Sequence, residues 1–208
     1  TVLHEGYPRN SVFFDQEHGK LLKETLGYQD CQLSVYMPTF RGHTDDVEGD
    51  TYVEQVRRYL EVLDQGMQDN QILLLKLHPL VQKGLDLDSY HHIRPFPSDL
   101  DTYDVLNACD VLITDYSSVM YDFANTGRKI ILFAYDLEDY MGHRGMYEDI
   151  RSYPFPIVKT PEALLAELRN PGGSADREFL DKYCSFDRQQ AARNICRHVL
   201  LGKYLCQE

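Results

Sequence analysis

Three short runs, "QILLLKL" (71–77), "DVLIT" (110–114) and "KIILFAY" (129–135), are apolar at nearly every position. A strand with one wet face alternates apolar and polar residues, whereas a strand without that alternation needs cover on both faces. In a parallel sheet, helices supply the cover. Helical patterns do stand between the runs: "TYVEQVRRYLEVLDQGM" (51–67) places Val53, Val56, Tyr59, Leu60 and Leu63 on one face. The alternation predicts an α/β chain, a Rossmann-like parallel sheet with helices on both faces.

Along the chain, "QEHGKLLKETL" (16–26) predicts a helix ending at Gly27, and "CQLSVYMPT" (31–39) a buried strand stopped at Pro38. The helix over 51–67 and the strand over 71–77 follow, the latter halted by Pro79. Next come a short strand near His92–Ile93, a helix over 99–109, the strand over 110–114, and a helix over 118–127 with Gly127 at its C-terminal cap. The strand over 129–135 leads into a polar, tyrosine-rich loop and a short strand at Ile157–Val158. "PEALLAELRN" (161–170) opens on proline, as helices often do. Helices over 175–184 and 187–202 finish the chain. No repeat is visible, and 208 residues suit a single domain over 1–208, its C-terminal helices at about 175–203.

The balance of 33 acids against 21 bases gives a formal net charge of −12, which supplies no basic face for nucleic acid. A single diphosphate asks for less: a few arginines and backbone N–H groups hold one. No stretch reaches the roughly 18 apolar residues of a membrane span. Cys31, Cys109, Cys184, Cys196 and Cys206 show no paired spacing, which predicts reduced thiols of a cytosolic protein rather than a disulfide framework or zinc site. The opening "TVLHEGYPRN" lacks a methionine and is expected to belong to an excised C-terminal domain.

Ligands of such sheets bind beyond the carboxyl ends of the strands, so the residues just after each strand carry most functional weight. Arg41 follows the first strand in "PTFRG", His78 follows the second, and "DYSS" (115–118) follows "DVLIT". Asp136, Glu138, Arg144 and Asp149 follow the strand over 129–135. Ser117 and Ser118 stand where a strand stops and a helix starts. Unsatisfied N–H groups there favour phosphate, and small residues let it approach; serine is equally a good helix N-cap. Both roles fit together if Ser117 caps while Ser118 faces a ligand. His78 is either a satisfied structural residue or a donor to a diphosphate, and Lys76 shares its side of the strand. Arg41 and Arg144 carry the forked guanidinium that suits phosphate, or serve as surface charges. Asp115 is expected to order the loop, because an anion would repel a phosphate. His91 and His92 have no supporting ligand at metal spacing, so no metal is expected.

"GYPRN" (6–10), "YMPTFRG" (36–42), "LKLHP" (75–79), "CDVLITDYSSVMYDFANTGRKIILF" (109–133) and "YDLEDYMGHRGMYED" (135–149) stand in that order. Together they resemble the C-terminal half of the CDP-glycerol glycerophosphotransferase family, the teichoic acid and capsule polymerases. The resemblance implies the C-terminal, donor-nucleotide half of a GT-B fold. It implies transfer of a polyol phosphate from CDP-glycerol or CDP-ribitol to a hydroxyl of a lipid-linked wall or capsular polymer, with no further cofactor. It implies His78 as a catalytic residue, with Ser117, Ser118, Arg41, Arg144, Asp115 and Lys76 around the donor's diphosphate and nucleotide. A bacterial enzyme at the inner face of the cell membrane is implied too, its peripheral membrane contact made by parts outside this sequence; a homo-oligomer is left open. The family's other catalytic histidine lies in a "WHG"-type motif of an N-terminal acceptor domain. No such motif occurs here, so the chain alone is expected to bind nucleotide weakly and to be inactive. Alternatives are a GT-B sialyl- or polysialyltransferase-like domain using a CMP-sugar, and a non-catalytic nucleotide-binding module.

Overall fold

The computed structural model describes residues 2–41, 49–143 and 148–201. Strands β1 (Gln32–Tyr36), β2 (Gln71–Leu75), β3 (Ile93–Pro95), β4 (Val111–Thr114), β5 (Lys129–Phe133) and β6 (Ile157–Val158) form one sheet in the order β3-β2-β1-β4-β5-β6. Every neighbouring pair is parallel. The chain runs outward from β1 to β3, returns to the middle, and runs outward again from β4. That reversal leaves a crevice beyond the carboxyl ends of β1 and β4, where doubly wound sheets hold ligands.

Nine α-helices accompany the sheet among the described residues: α1 (Gln16–Thr25), α2 (Gly49–Gly66), α3 (Pro79–Gln82), α4 (Thr102–Ala108), α5 (Val119–Ala124), α6 (Leu137–His143), α7 (Pro161–Arg169), α8 (Arg177–Tyr183) and α9 (Ala191–Leu201). Successive strand residues feed opposite faces. Leu33, Val35, Leu74, Leu112, Ile130 and Leu132 meet Val105, Leu106, Phe123 and Phe179 on one side. Tyr36, Leu73, Leu75, Ile113, Ile131 and Phe133 meet Val56, Leu60, Leu63, Leu164 and Leu168 on the other. This two-sided burial is why the strands show no polar alternation. Each fully buried side chain of this size stabilises by about 1.5–3 kcal/mol.

Helix starts are capped where the sequence offers a short oxygen. Asp15 accepts from the His18 N–H at 3.0 Å, Asp101 from Tyr103 at 2.8 Å, Thr160 from Ala163 at 3.2 Å and Asp176 from Phe179 at 2.8 Å. Gly127 turns the chain after α5 with φ of 67°, a conformation that L side chains resist. The expected elements are present, most of them shorter at the ends. Two α-helices go beyond the expectation. α3 is a single turn started by Pro79, too short for any periodicity, and α6 lies in the tyrosine-rich stretch read as loop.

Residues 7–10 and Asp187 are tied to α5 and to one another. Asp122, 3% exposed, accepts from Arg9 at 3.0 and 3.2 Å, Asn10 at 2.9 Å and the Tyr103 hydroxyl at 2.9 Å. Asp187 accepts from Asn10 at 2.8 Å, Asn125 at 2.9 Å and the Tyr7 N–H at 2.9 Å. The "GYPRN" stretch thus works as a clasp. Burial, with the hydrogen bond to Asp122, pushes the Tyr103 phenol up to about 12.

Candidate functional site

The carboxyl edge of the sheet is organised by one cation. Arg41, in the loop after β1, donates through Nε to Asp136 Oδ2 at 2.7 Å and through Nη2 to Asp136 Oδ1 at 3.1 Å. Nη2 also lies 2.7 Å from Asp115 Oδ2, and Nη1 donates to the Thr39 carbonyl at 2.5 Å. Asp115 follows β4 and Asp136 follows β5, so a single guanidinium ties three strand ends together. The Asp115 side chain is 1% exposed; besides Arg41 it accepts from the Thr39 N–H and hydroxyl and from the Tyr116 N–H. Burial works against the charges of both Arg41 and Asp136. Their mutual hydrogen bonds outweigh it, raising the guanidinium above its ordinary value and holding the Asp136 carboxyl below its own. Arg41 therefore faces carboxylates from within the protein, and Asp115 orders the loop.

Tyr116 continues the network. Its hydroxyl donates to Asp136 at 2.9 Å, and its ring stacks on Tyr140 of α6 with centroids 3.7 Å apart. Burial, then the bond to Asp136, raises this phenol. Arg41 sits 5.0 Å from the Tyr116 ring centroid.

His78 stands exposed after β2 as the cap of α3. Its Nδ1 accepts from the Leu80 N–H at 3.4 Å, which leaves the proton of the neutral ring on Nε2. The imidazole stacks on Phe40, centroids 4.2 Å apart and 28° between planes. Phe40 precedes Arg41, so the residue that fixes the loop also fixes the histidine's neighbour. Only its adjacency to Arg41 marks Phe40 in the sequence. Lys76 leans elsewhere, its Nζ 4.3 Å from the centroid of Phe96 beyond β3.

Between β4 and α5 the two serines divide. Ser117 Oγ accepts from the Val119 N–H at 3.4 Å, whereas Ser118 is exposed and makes no capping bond. Ser118 opens onto a pocket of about 550 Å³ that Tyr7, Arg9, Tyr121, Tyr153 and Tyr183 also line. Sequence reasoning passed over this pocket, because its walls come from positions between 7 and 183. In the strand order β2-β1-β4, His78 and the serine pair flank β1 on the same edge. Arg144 lies outside the described residues. His92 Nδ1 is 3.1 Å from the Gln71 carbonyl, a structural partner. Among the described residues no three His, Cys, Asp or Glu side chains group as metal ligands, and no helix is long and apolar enough to cross a membrane.

Strand order and crevice define a doubly wound, Rossmann-like α/β domain with the 115–118 turn at its switch point. The chain belongs to the CDP-Glycerol:Poly(glycerophosphate) glycerophosphotransferase family, whose model matches residues 1–201. It is 33% identical over 95% of its length to a teichoic acid glycerol-phosphate transferase of Staphylococcus aureus, and 28% identical over 96% to the teichoic acid ribitol-phosphate polymerase TarK of that species. The match spans 54% and 40% of those relatives, so the chain is about half their length or less. A histidine-to-alanine variant of the wall teichoic acid polymerase TagF superposes with a TM-score of 0.80 at 30% identity, over 96% of this chain and 52% of that one. A histidine-to-asparagine variant of TagF soaked with CDPG gives 0.77 at 30% identity, with the same coverage. The expected fold class is thereby that of TagF.

Proposed function

We propose that this chain is the donor-binding domain of a polyol-phosphate transferase that takes CDP-glycerol or CDP-ribitol. The observation that carries the reading is the placing of His78 and Ser117–Ser118 on either side of β1 at the switch point, in a family whose solved member was soaked with CDPG. The diphosphate would lie between them. Ser118 and the N–H groups of the turn would hold its oxygens, and the Asp115–Arg41–Asp136 tie would hold the loops that carry these groups.

An acceptor hydroxyl attacks the polyol-side phosphorus in line. The new P–O bond forms as the bond to the CMP oxygen breaks, and the hydroxyl's proton passes to a base contributed from outside this chain. His78 offers its Nε2–H to the departing CMP phosphate, where negative charge grows. The acceptor in this reading is a lipid-linked polymer at the inner face of a bacterial membrane, reached through parts outside the described chain.

Calorimetry on this chain tests the reading. CDP and CDP-glycerol should bind, and Ser118→Ala should weaken both by roughly ten- to a hundredfold, the worth of a hydrogen bond to a charged group at about 1.5–3 kcal/mol. Binding of CMP-sialic acid with none of CDP-glycerol would replace this reading with the sialyl one. No nucleotide binding at millimolar concentration would remove the donor-domain assignment.

A further inference from the structure

In the donor-domain reading His78 presents one N–H to a phosphate, yet its side chain stands exposed beyond the end of β2. Exposed side chains change rotamer within nanoseconds, and a donor that turns freely is a poor one. At 3.4 Å the bond from the Leu80 N–H to Nδ1 is long, and alone it holds the ring loosely. The second contact is the face of Phe40, with centroids 4.2 Å apart and 28° between planes. A stacked pair of this kind sets the plane of the imidazole, while the Leu80 bond sets its rotation within that plane.

Phe40 is itself held from both sides. Thr39 donates to Asp115 through its N–H at 2.9 and 3.0 Å and through its hydroxyl at 2.8 Å. Arg41 reaches the same carboxylate at 2.7 Å and Asp136 at 2.7 Å. Between these two anchors the Phe40 ring packs against the core layer that contains Val56, Leu60 and Phe133. Asp115 is fully buried and opens the turn that carries Ser117 and Ser118. One carboxylate thus braces the serine turn on one side of β1 and, through Phe40, the histidine on the other.

The residue type suits the place. A carboxylate commonly orients a histidine, but here it would set negative charge beside the diphosphate to be held. Among the described residues no carboxylate bonds to His78. A phenyl ring orients the imidazole without charge and takes up neither ring nitrogen, so Nδ1 serves Leu80 and Nε2 is left for a ligand. We propose that Phe40 is a positioning residue: it holds the His78 imidazole in the plane from which Nε2–H meets the donor's diphosphate. The identity of that ligand rests on the donor-domain reading; the stack does not.

Imidazole NMR and calorimetry on this chain test the inference together. In the unsubstituted chain the His78 ring protons should lie upfield of those of a free imidazole, displaced by the Phe40 ring current. At alkaline pH its two ring nitrogens should show the well-separated shifts of a single tautomer. In Phe40→Leu, which keeps an apolar side chain against the core, these two shifts should draw together as the ring turns and its tautomers mix. Phe40→Tyr should restore the separation. CDP affinity should fall about two- to tenfold in Phe40→Leu, the worth of an aromatic pair, and recover in Phe40→Tyr. In a His78→Ala background Phe40→Leu should cost nothing further, because Phe40 acts through the histidine. A thermal melt of each variant checks the fold. The inference is overturned by ring protons without upfield displacement in the unsubstituted chain, which needs no variant to read. It is equally overturned by nitrogen shifts unmoved in Phe40→Leu, or by an equal loss of CDP affinity with and without His78. If CDP does not bind the unsubstituted chain, the donor assignment falls and the NMR alone decides on Phe40.

Discussion

At the scale of single residues, Arg41 carries the most. It stands where a phosphate clamp is expected, and its guanidinium is divided between Asp115 and Asp136. Removing one partner of a buried ion pair leaves uncompensated charge and costs about 3–5 kcal/mol. Arg41→Ala should therefore lower unfolding free energy in urea by that order. Arg41→Lys should recover only part of it, because a point charge cannot reproduce the fork. Asp136 gives the same tie a pH signature. Its carboxyl titrates lower folded than unfolded, so the stabilisation is complete above the unfolded value near 4 and is lost as pH falls through the lower folded value. Melting temperature should fall below about pH 4. In Asp136→Asn that share of the acid slope should vanish, and an unchanged slope would show that other carboxylates set it.

At the scale of elements, close packing sets tolerance. Gly19 of α1 lies against α4 so closely that a Cβ would run into the carbonyl of Asn107. Overpacking of this kind costs about 1–3 kcal/mol, so Gly19→Ala should destabilise despite alanine's better helix propensity. Denaturant unfolding that leaves the midpoint unmoved or raises it would contradict this. The sheet was legible because two-sided burial strips alternation from "DVLIT" and "KIILF", and the long helix over α2 because its apolar spacing is regular. α3 and α6 were not, since a four-residue turn has no period and "LEDYMGH" mixes charges with an interior glycine. Of the candidate site, His78, Arg41 and the serines were legible from their place after strands. The partners around them were not: Phe40 on His78, Asp136 on Arg41, and Tyr7 lining the same pocket as Ser118 are joined by the fold across as many as 111 residues.

At the scale of the whole molecule, the clasp around Asp122 and Asp187 binds residues 7–10 and the approach to α9 to α5 and its C-terminal end. Asp187 accepts from the Asn10 and Asn125 side chains and the Tyr7 N–H. Asp187→Ala should cost about 1–3 kcal/mol for the donors left behind, and amide exchange should quicken in residues 7–10 and in α9 together. Faster exchange in one segment alone would mean that the ends are held separately. The strand order has a further result, in time rather than space. β1 lies at the centre, yet one of its edges stays open until β4 arrives: Val35 pairs with Leu112. During synthesis, therefore, β1, β2 and β3 can assemble first with one side of the central strand unpaired and adhesive. Refolding should be paced by that late, long-range closure, and crowded unfolded chains should stick through β1 and β4 before any other part.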